Sequence, residues 1–242
     1  MLRRYSGNLP SALRTARMGA VLLLNLLLLA VVGYAFWNQD WRYSLPAPRP
    51  EGLSQPLVGS RLVLPASIAG VKRNGRPLLM HFANPECPCT QFNLDHVRKL
   101  AQTFGNQVDF VTVLQTASDP AEARGEFQSM HLPMPVVYDS GAKIGDWVGV
   151  YATPQAAILS ADGTLYFRGN YNRSRYCSDE SSEFVRLALE ALVANQPLPR
   201  LPSEATISYG CPLPRLVRSE SDNPGARDTA ATLASPEDQI LR

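Results

Sequence analysis

LLMHFANPECPCTQFN, residues 78–93, joins an apolar run to a turn with two cysteines and the start of a helical pattern. Residues 78–83 have the nearly continuous apolar character of a strand that is buried on both faces of a sheet. Cys87 and Cys89 follow in the turn, and residues 90–104 carry apolar side chains at helical spacing. The stretch therefore predicts a strand, a tight turn with two sulfurs, and a helix.

The rest of the central region alternates between short apolar runs and amphipathic segments. Strands are predicted at residues 61–65, 108–114, 135–138, 155–159 and 165–168, and helices at residues 121–131, 142–148 and 181–194. Parallel βαβ units followed by a hairpin and a closing helix predict an α/β domain. Its sheet should be mixed, with helices on both faces.

The N-terminal region predicts a membrane anchor. Residues 1–17 contain four arginines and no acidic residue, and residues 18–37 form an uncharged apolar run long enough to span a bilayer as one helix. A cleaved signal peptide would have a shorter apolar core and a small-residue cleavage site, and a buried core helix would have a polar face. The arginines predict a cytoplasmic N-terminus in the inner (cell) membrane, with the following domain periplasmic or otherwise extracytoplasmic.

Three further segments complete the predicted organisation. Residues 38–56 are rich in proline, and this composition predicts a semi-extended spacer. Residues 57–214 would form the α/β domain, and the polar residues 215–242 a disordered tail. The net charge of +2 argues against nucleic-acid binding as a main activity.

The two neighbouring cysteines are the first candidates for chemistry. The N-terminus of a helix favours a thiolate, which is the form that attacks a disulfide or binds a soft metal. The alternative is that Cys87 and Cys89 are only structural. Glu86 precedes them, either as a proton acceptor for Cys87 or as a solvated surface charge.

Cys177 and Cys211 form a second candidate pair. A Cys177–Cys211 disulfide would hold the segment after the last helix against the domain. Alternatively, one of these thiols could resolve or recharge the first pair, helped by Arg173 and Arg175 beside Cys177. Four cysteines allow three pairings, and the sequence leaves them open.

Residues 57–214 resemble the thioredoxin-like superfamily, in particular its membrane-tethered redoxins of the TlpA/AhpC-TSA group. The resemblance lies in FANPECPC (82–89), YATPQA (151–156), the hairpin after it and the terminal helix, and the RYC (175–177) and GCPLP (210–214) segments resemble a bacterial branch of that group. It implies a cis Thr153–Pro154 bond facing the cysteines, with Pro154 shaping a substrate groove. It also implies exchange with protein thiols and disulfides without a cofactor, with Cys87 attacking and Cys89 resolving.

The sequence departs from that group at several positions. Glu86 stands where thioredoxins have tryptophan, the spacing is CxC rather than CxxC, and Asn84 replaces the threonine of thiol peroxidases. One rival interpretation is Cu(I) binding or delivery by Cys87 and Cys89, although the sequence offers no well-placed third ligand and no metal site is predicted. The other is a non-catalytic scaffold in which all cysteines are structural.

Overall fold

The computed structural model describes residues 11–69, 71, 75–116, 118–139, 141–174 and 179–214. The predicted tail, residues 215–242, lies outside the described residues, as do Cys177 and most of the basic N-terminus.

A long apolar helix opens the described chain. Helix α1 spans Ser11–Phe36 and continues through a π-helical turn, Trp37–Trp41, into the short helix α2, Arg42–Ser44. The segment Ala12–Ser44 has a mean hydropathy of 2.3 in its most apolar window, and none of that window is buried. By length and composition, this helix is able to span a membrane.

The α/β domain contains a five-stranded sheet and a two-stranded ladder. The strands are β1 (Leu78–Ala83), β2 (Asp109–Leu114), β3 (Val136–Tyr138), β4 (Ala152–Thr153), β5 (Gln155–Leu159), β6 (Leu165–Asn170) and β7 (Cys211–Pro212). The helices are α3 (Ala66–Ala69), α4 (Pro88–Phe104), α5 (Pro120–Ser129), α6 (Lys143–Val148) and α7 (Phe184–Val193), with 3₁₀ turns at Glu180–Ser182 and Ser203–Ala205.

The large sheet is mixed, and β1 lies at its centre. Its order is β3-β2-β1-β5-β6, where β1 is parallel to β2 and antiparallel to β5. This arrangement, with helices on both faces, confirms the predicted thioredoxin-like α/β fold. The hairpin of β5 and β6 and the helix α4 also lie where the sequence predicts them.

The apolar run of β1 is buried because it supplies both faces of the sheet. Leu79 and Ala83 belong to the core cluster that contains residues of α4 and α7. Leu78, Met80 and Phe82 belong to the opposite cluster, which contains residues of α6. Alternating side chains of one strand therefore serve two cores, which explains why the run lacks the alternation of a half-exposed strand.

Two predicted segments differ from the structure. Residues 61–65 form no strand, because only Arg61 makes a bridge, to Thr164. The proline-rich segment is also not a detached spacer, since Pro46 makes an antiparallel bridge to Tyr209 and the Ala47 N–H donates to the Ser208 carbonyl at 2.8 Å. Ala47 and Leu53 are buried, so apolar contact with the domain holds this segment against it.

Candidate active site

The turn between β1 and α4 positions two of the sulfurs. Cys87 is the N-cap residue of α4, with an extended backbone, and Pro88 occupies the first turn, where the missing amide proton removes no helical hydrogen bond. Cys89 lies in the first turn of α4. Cys87 is 2% exposed and Cys89 is fully buried, so neither sulfur is open to solvent.

The third sulfur comes from the C-terminal part of the domain. Strand β7 pairs antiparallel with β4, and this register places Cys211 opposite Thr153. Cys211 forms a disulfide with Cys87, across a sequence separation of 124 and a Cα–Cα distance of 6.0 Å. Cys211 is partly exposed, which makes it the most accessible of the three.

This disulfide differs both from the Cys177–Cys211 bond, one of the alternatives that the sequence leaves open, and from a Cys87–Cys89 bond. In the structure, the β4–β7 ladder brings Cys211 to the start of α4, where Cys87 lies. Cys89 takes no part in the disulfide, yet its Sγ and those of Cys87 and Cys211 all lie within 4.8 Å of one another. We refer to these three residues as the sulfur cluster.

Gly210 allows β7 to approach this closely. Its φ of +99° is one that residues with side chains rarely adopt, and a Cβ at this position would overlap the carbonyl oxygen of Thr153. A glycine directly before Cys211 therefore permits the backbone contact that brings the third sulfur to the site.

Thr153 connects the elements of the site through its hydroxyl group. The hydroxyl donates to the Phe82 carbonyl at 3.1 Å, accepts from the Asn84 N–H at 3.2 Å and lies 3.1 Å from the Thr90 hydroxyl. The Thr153 carbonyl oxygen lies 3.6 Å from Cys87 Sγ. Thr153, which lies in β4, therefore contacts the end of β1, the turn that follows β1, and α4.

The remaining predicted site residues lie at the same end of the sheet. The Thr153–Pro154 bond is cis, as predicted, and Pro154 is buried. Glu86 is exposed, and its backbone N–H donates to Asn84 Oδ1 at 2.9 Å. A cavity of about 260 Å³ is lined by Glu86 and Cys211, and by Arg42 and Tyr43 of the short helix α2, among others. The disulfide therefore borders an open cavity beside the end of the long helix.

A buried polar group lies between β1, α4 and α7. His81 is fully buried in β1, and its Nδ1 lies 2.8 Å from the Tyr171 hydroxyl. Burial lowers the pKa of His81 to about 3, so the imidazole is neutral at pH 7. Burial also lowers the pKa of His96. The Glu183 carboxylate, 3.5 Å from His96 Nδ1, has the opposite effect and raises this pKa, but burial has the larger effect.

The sequence leaves the partner of Cys211 open. The local signal is the GCPLP segment, in which a glycine precedes the cysteine, but the position of Cys211 opposite Thr153 depends on a contact between residues far apart in the chain. Cys177 lies outside the described residues.

The comparisons with known proteins concern the domain. The family described as "Domain of unknown function (DUF6436)" matches residues 60–212, and the chain therefore belongs to this family. None of the curated proteins matches the chain.

Solved structures are similar in fold. A conserved protein from Geobacillus kaustophilus, described as uncharacterized, is 21% identical with a TM-score of 0.55, covering 72% of this chain and 98% of that chain. The protein SMc02350 from Sinorhizobium meliloti is 19% identical with a TM-score of 0.53, covering 66% and 95%. A secreted disulfide oxidoreductase from Mycobacterium tuberculosis is 23% identical with a TM-score of 0.34, covering 38% and 66%. At these identities the first two structures show similarity of fold alone, and the third, with a TM-score below 0.5, adds no support.

Proposed function

We propose that this member of the DUF6436 family is a membrane-tethered thiol–disulfide oxidoreductase that acts on other proteins outside the cytoplasm. The observation that carries the proposal is the sulfur cluster. A partly exposed disulfide, Cys87–Cys211, lies at the N-terminus of a 17-residue helix, with the Cys89 sulfur within 4.8 Å. A purely structural disulfide has no need of a third sulfur within reach.

The accessibility of the sulfurs suggests the first step of exchange. An incoming thiolate of a partner protein attacks Cys211 Sγ, because Cys211 is partly exposed and Cys87 is buried. The partner–Cys211 bond forms as the Cys87–Cys211 bond breaks, and the electron pair goes to Cys87. The helix N-terminus stabilises this leaving thiolate. Cys211 is thereby the contact sulfur in this proposal, in place of the predicted Cys87.

The second step completes a two-electron exchange. The partner's second thiolate attacks its own sulfur in the mixed disulfide and expels the Cys211 thiolate. The partner leaves with a disulfide, and the two protons of its thiols are taken up by Cys87 and Cys211. The reverse sequence reduces a partner's disulfide, and the reduction potentials of the two proteins set the direction.

Cys89 supplies an internal route between the same atoms. A Cys89 thiolate could attack Cys87 Sγ, forming Cys87–Cys89 and releasing the Cys211 thiolate. The predicted CxC disulfide would then be a transient form rather than the resting one. No cofactor enters either route, because the sulfurs carry the electrons.

The anchor places this chemistry beside a membrane. The leucines of α1 are strongly exposed, for example Leu23 at 69% and Leu29 at 67%, and lipid would cover them. Arginines on the N-terminal side favour a cytoplasmic N-terminus and hence an extracytoplasmic domain, where disulfides persist.

The test uses the full chain in detergent micelles, oxidised, with a model peptide that contains two cysteines. We expect stoichiometric peptide oxidation together with two new protein thiols. The double variant Cys87→Ser/Cys89→Ser should leave Cys211 able to attack an oxidised peptide and, without a neighbouring sulfur to resolve it, should accumulate a peptide–Cys211 adduct detectable by mass spectrometry. Cys177→Ser is the matched control and should behave as the wild type. Unchanged exchange in Cys211→Ser would overturn the assignment.

A further inference from the structure

The sulfur cluster contains the third ligand that the sequence did not reveal for a soft metal. Cys87, Cys89 and Cys211 each offer one Sγ atom, and all three atoms lie within 4.8 Å of one another. We propose that the cluster, when the Cys87–Cys211 disulfide is reduced, binds one Cu(I) ion through three thiolates. This inference goes beyond the exchange reaction, because it assigns the reduced sulfurs a second use as metal ligands.

The spacing of the sulfurs suits a shared metal ion. Three thiolates bound to one metal at about 2.3 Å lie roughly 4.0 Å apart in a trigonal planar site. Cys87 and Cys211 must separate to this distance when their bond is broken, and the Cys89 sulfur already lies within 4.8 Å of both. Small side-chain rotations within one cluster therefore complete the set, with no rearrangement of the sheet.

The number and kind of donors favour Cu(I) over Zn(II). Thiolates are soft ligands that select Cu(I), zinc and iron–sulfur clusters, and structural zinc sites are almost always four-coordinate. Within the residues that the structure describes, the cluster comprises three donor groups and no histidine or carboxylate. Three sulfurs are a complete set for a trigonal Cu(I) ion and an incomplete one for a structural zinc ion.

The surroundings of the cluster suit a buried anionic site with one open side. Cys87 and Cys89 are buried, which keeps water from the ion, and the N-terminus of α4 stabilises the negative charge of the thiolates. Cys211 is partly exposed and lines the 260 Å³ cavity. This cavity gives an ion or a donor molecule a route to the third sulfur.

The disulfide makes binding dependent on redox state. In the oxidised chain, the Cys87 and Cys211 sulfurs are bonded to each other and neither is a thiolate. A protein dithiol or glutathione supplies two electrons and two protons, becomes a disulfide itself and leaves two thiols. Cu(I) then displaces protons from the three thiols as it binds. The reduced chain should hold the ion, and the oxidised chain should not.

The experiment measures Cu(I) binding to the full, detergent-solubilised chain by competition with the chromogenic chelator bicinchoninate. We expect one ion per reduced chain and none on the oxidised chain. Cys87→Ser, Cys89→Ser and Cys211→Ser should each weaken binding about 100-fold or more, since each removes a direct ligand. Cys177→Ser is the matched control and should bind as tightly as the wild type.

X-ray absorption of the copper-loaded wild type counts the sulfur ligands without any variant. Three sulfurs at one distance support the proposal. Two sulfurs, unchanged affinity in Cys211→Ser, or tighter retention of zinc than of Cu(I) would each overturn it. Exchange of the metal-free chain with the dithiol peptide is measured separately. Failure of copper binding and failure of the oxidoreductase activity are therefore distinguishable.

Discussion

The two segments that form the sulfur cluster differ in how the chain holds them. Cys87 caps the 17-residue helix α4, which follows the central strand β1, and Cys89 lies in the first turn of that helix, so local structure fixes both. Cys211 lies on a two-residue strand that is 124 positions from Cys87 and is held by pairing with β4. One part of the site is therefore built into the core, and the other is added to it by a small ladder and a disulfide.

This contrast suggests a division of labour. The helix end supplies a stabilised thiolate, and the C-terminal strand supplies the accessible sulfur. The predictions below test whether the two parts depend on each other as the structure implies.

The largest effect is expected from removing the sulfur that both parts share. Cys87→Ser should lower the rate of peptide oxidation at least 100-fold, because it removes the disulfide from which exchange starts. The measurement is the initial rate with the dithiol peptide. Cys177→Ser, which leaves the cluster intact, should retain the wild-type rate, and equal losses in the two variants would contradict the account.

The next effect tests the close approach of β7. Gly210→Ala should lower the free energy of unfolding by about 3 kcal/mol, because its Cβ would overlap the Thr153 carbonyl at a positive φ. Gly59 has a similar φ, +95°, but a Cβ there meets nothing within 4 Å. Gly59→Ala should therefore lower the free energy of unfolding by only about 1 kcal/mol, which is the cost of placing a side chain at a positive φ. Denaturant unfolding under oxidising conditions measures both, and equal losses would show that β7 is not tightly packed.

A smaller effect tests the hydroxyl group that connects the two parts. Thr153→Val keeps the shape but removes bonds to Phe82, Asn84 and Thr90, and should cost about 2 kcal/mol. Thr112 is also a buried strand threonine, but its hydroxyl has no hydrogen-bond partner within the described chain. Thr112→Val should be neutral or stabilising. The same denaturant unfolding experiment measures both variants. A large loss of stability in Thr112→Val together with no loss in Thr153→Val would contradict the role assigned to the Thr153 hydroxyl.

The smallest effect concerns His81 beneath the site. Its pKa is lowered from 6.5 to about 3, so the unfolded chain binds more protons between these values. The contribution of neutral His81 to the free energy of unfolding is therefore fully present well above pH 6.5 and is lost as the pH falls from 6.5 toward 3. Between pH 7.5 and 5.5, His81 should account for a loss of about 1 kcal/mol.

The control for this prediction separates His81 from general acid effects. His81→Asn cannot titrate but can still hydrogen-bond the Tyr171 hydroxyl, so the pH dependence of unfolding should become shallower. His131→Asn, at an exposed position, is the control for the histidine-to-asparagine substitution itself. An unchanged slope in His81→Asn would contradict the buried, neutral assignment.

Local patterns account for what the sequence predicted correctly. The apolar run of β1, the helix after Pro88 and the hairpin of β5 and β6 are each determined by neighbouring residues. Long-range contacts account for what it missed. The docking of Pro46 onto Tyr209 and of Cys211 onto Thr153 joins short segments with little intrinsic pattern of their own.

The site shows the same limit. Two sulfurs were evident from the CPC spacing, but their partner depended on which of two distant cysteines the fold brings to the helix end. Gly210 was the one local clue, because a glycine next to a cysteine permits a close backbone approach. The sequence does not show which backbone segment approaches Gly210, because that depends on the position of β7.

The measurement that tests the central claim most directly is disulfide mapping by mass spectrometry of the full chain at controlled redox poise. We predict a Cys87–Cys211 bond that opens between about −120 and −270 mV, the range of known exchange catalysts. A chain in which Cys211 bonds Cys177, or in which Cys87–Cys211 stays closed throughout this range, would contradict the account.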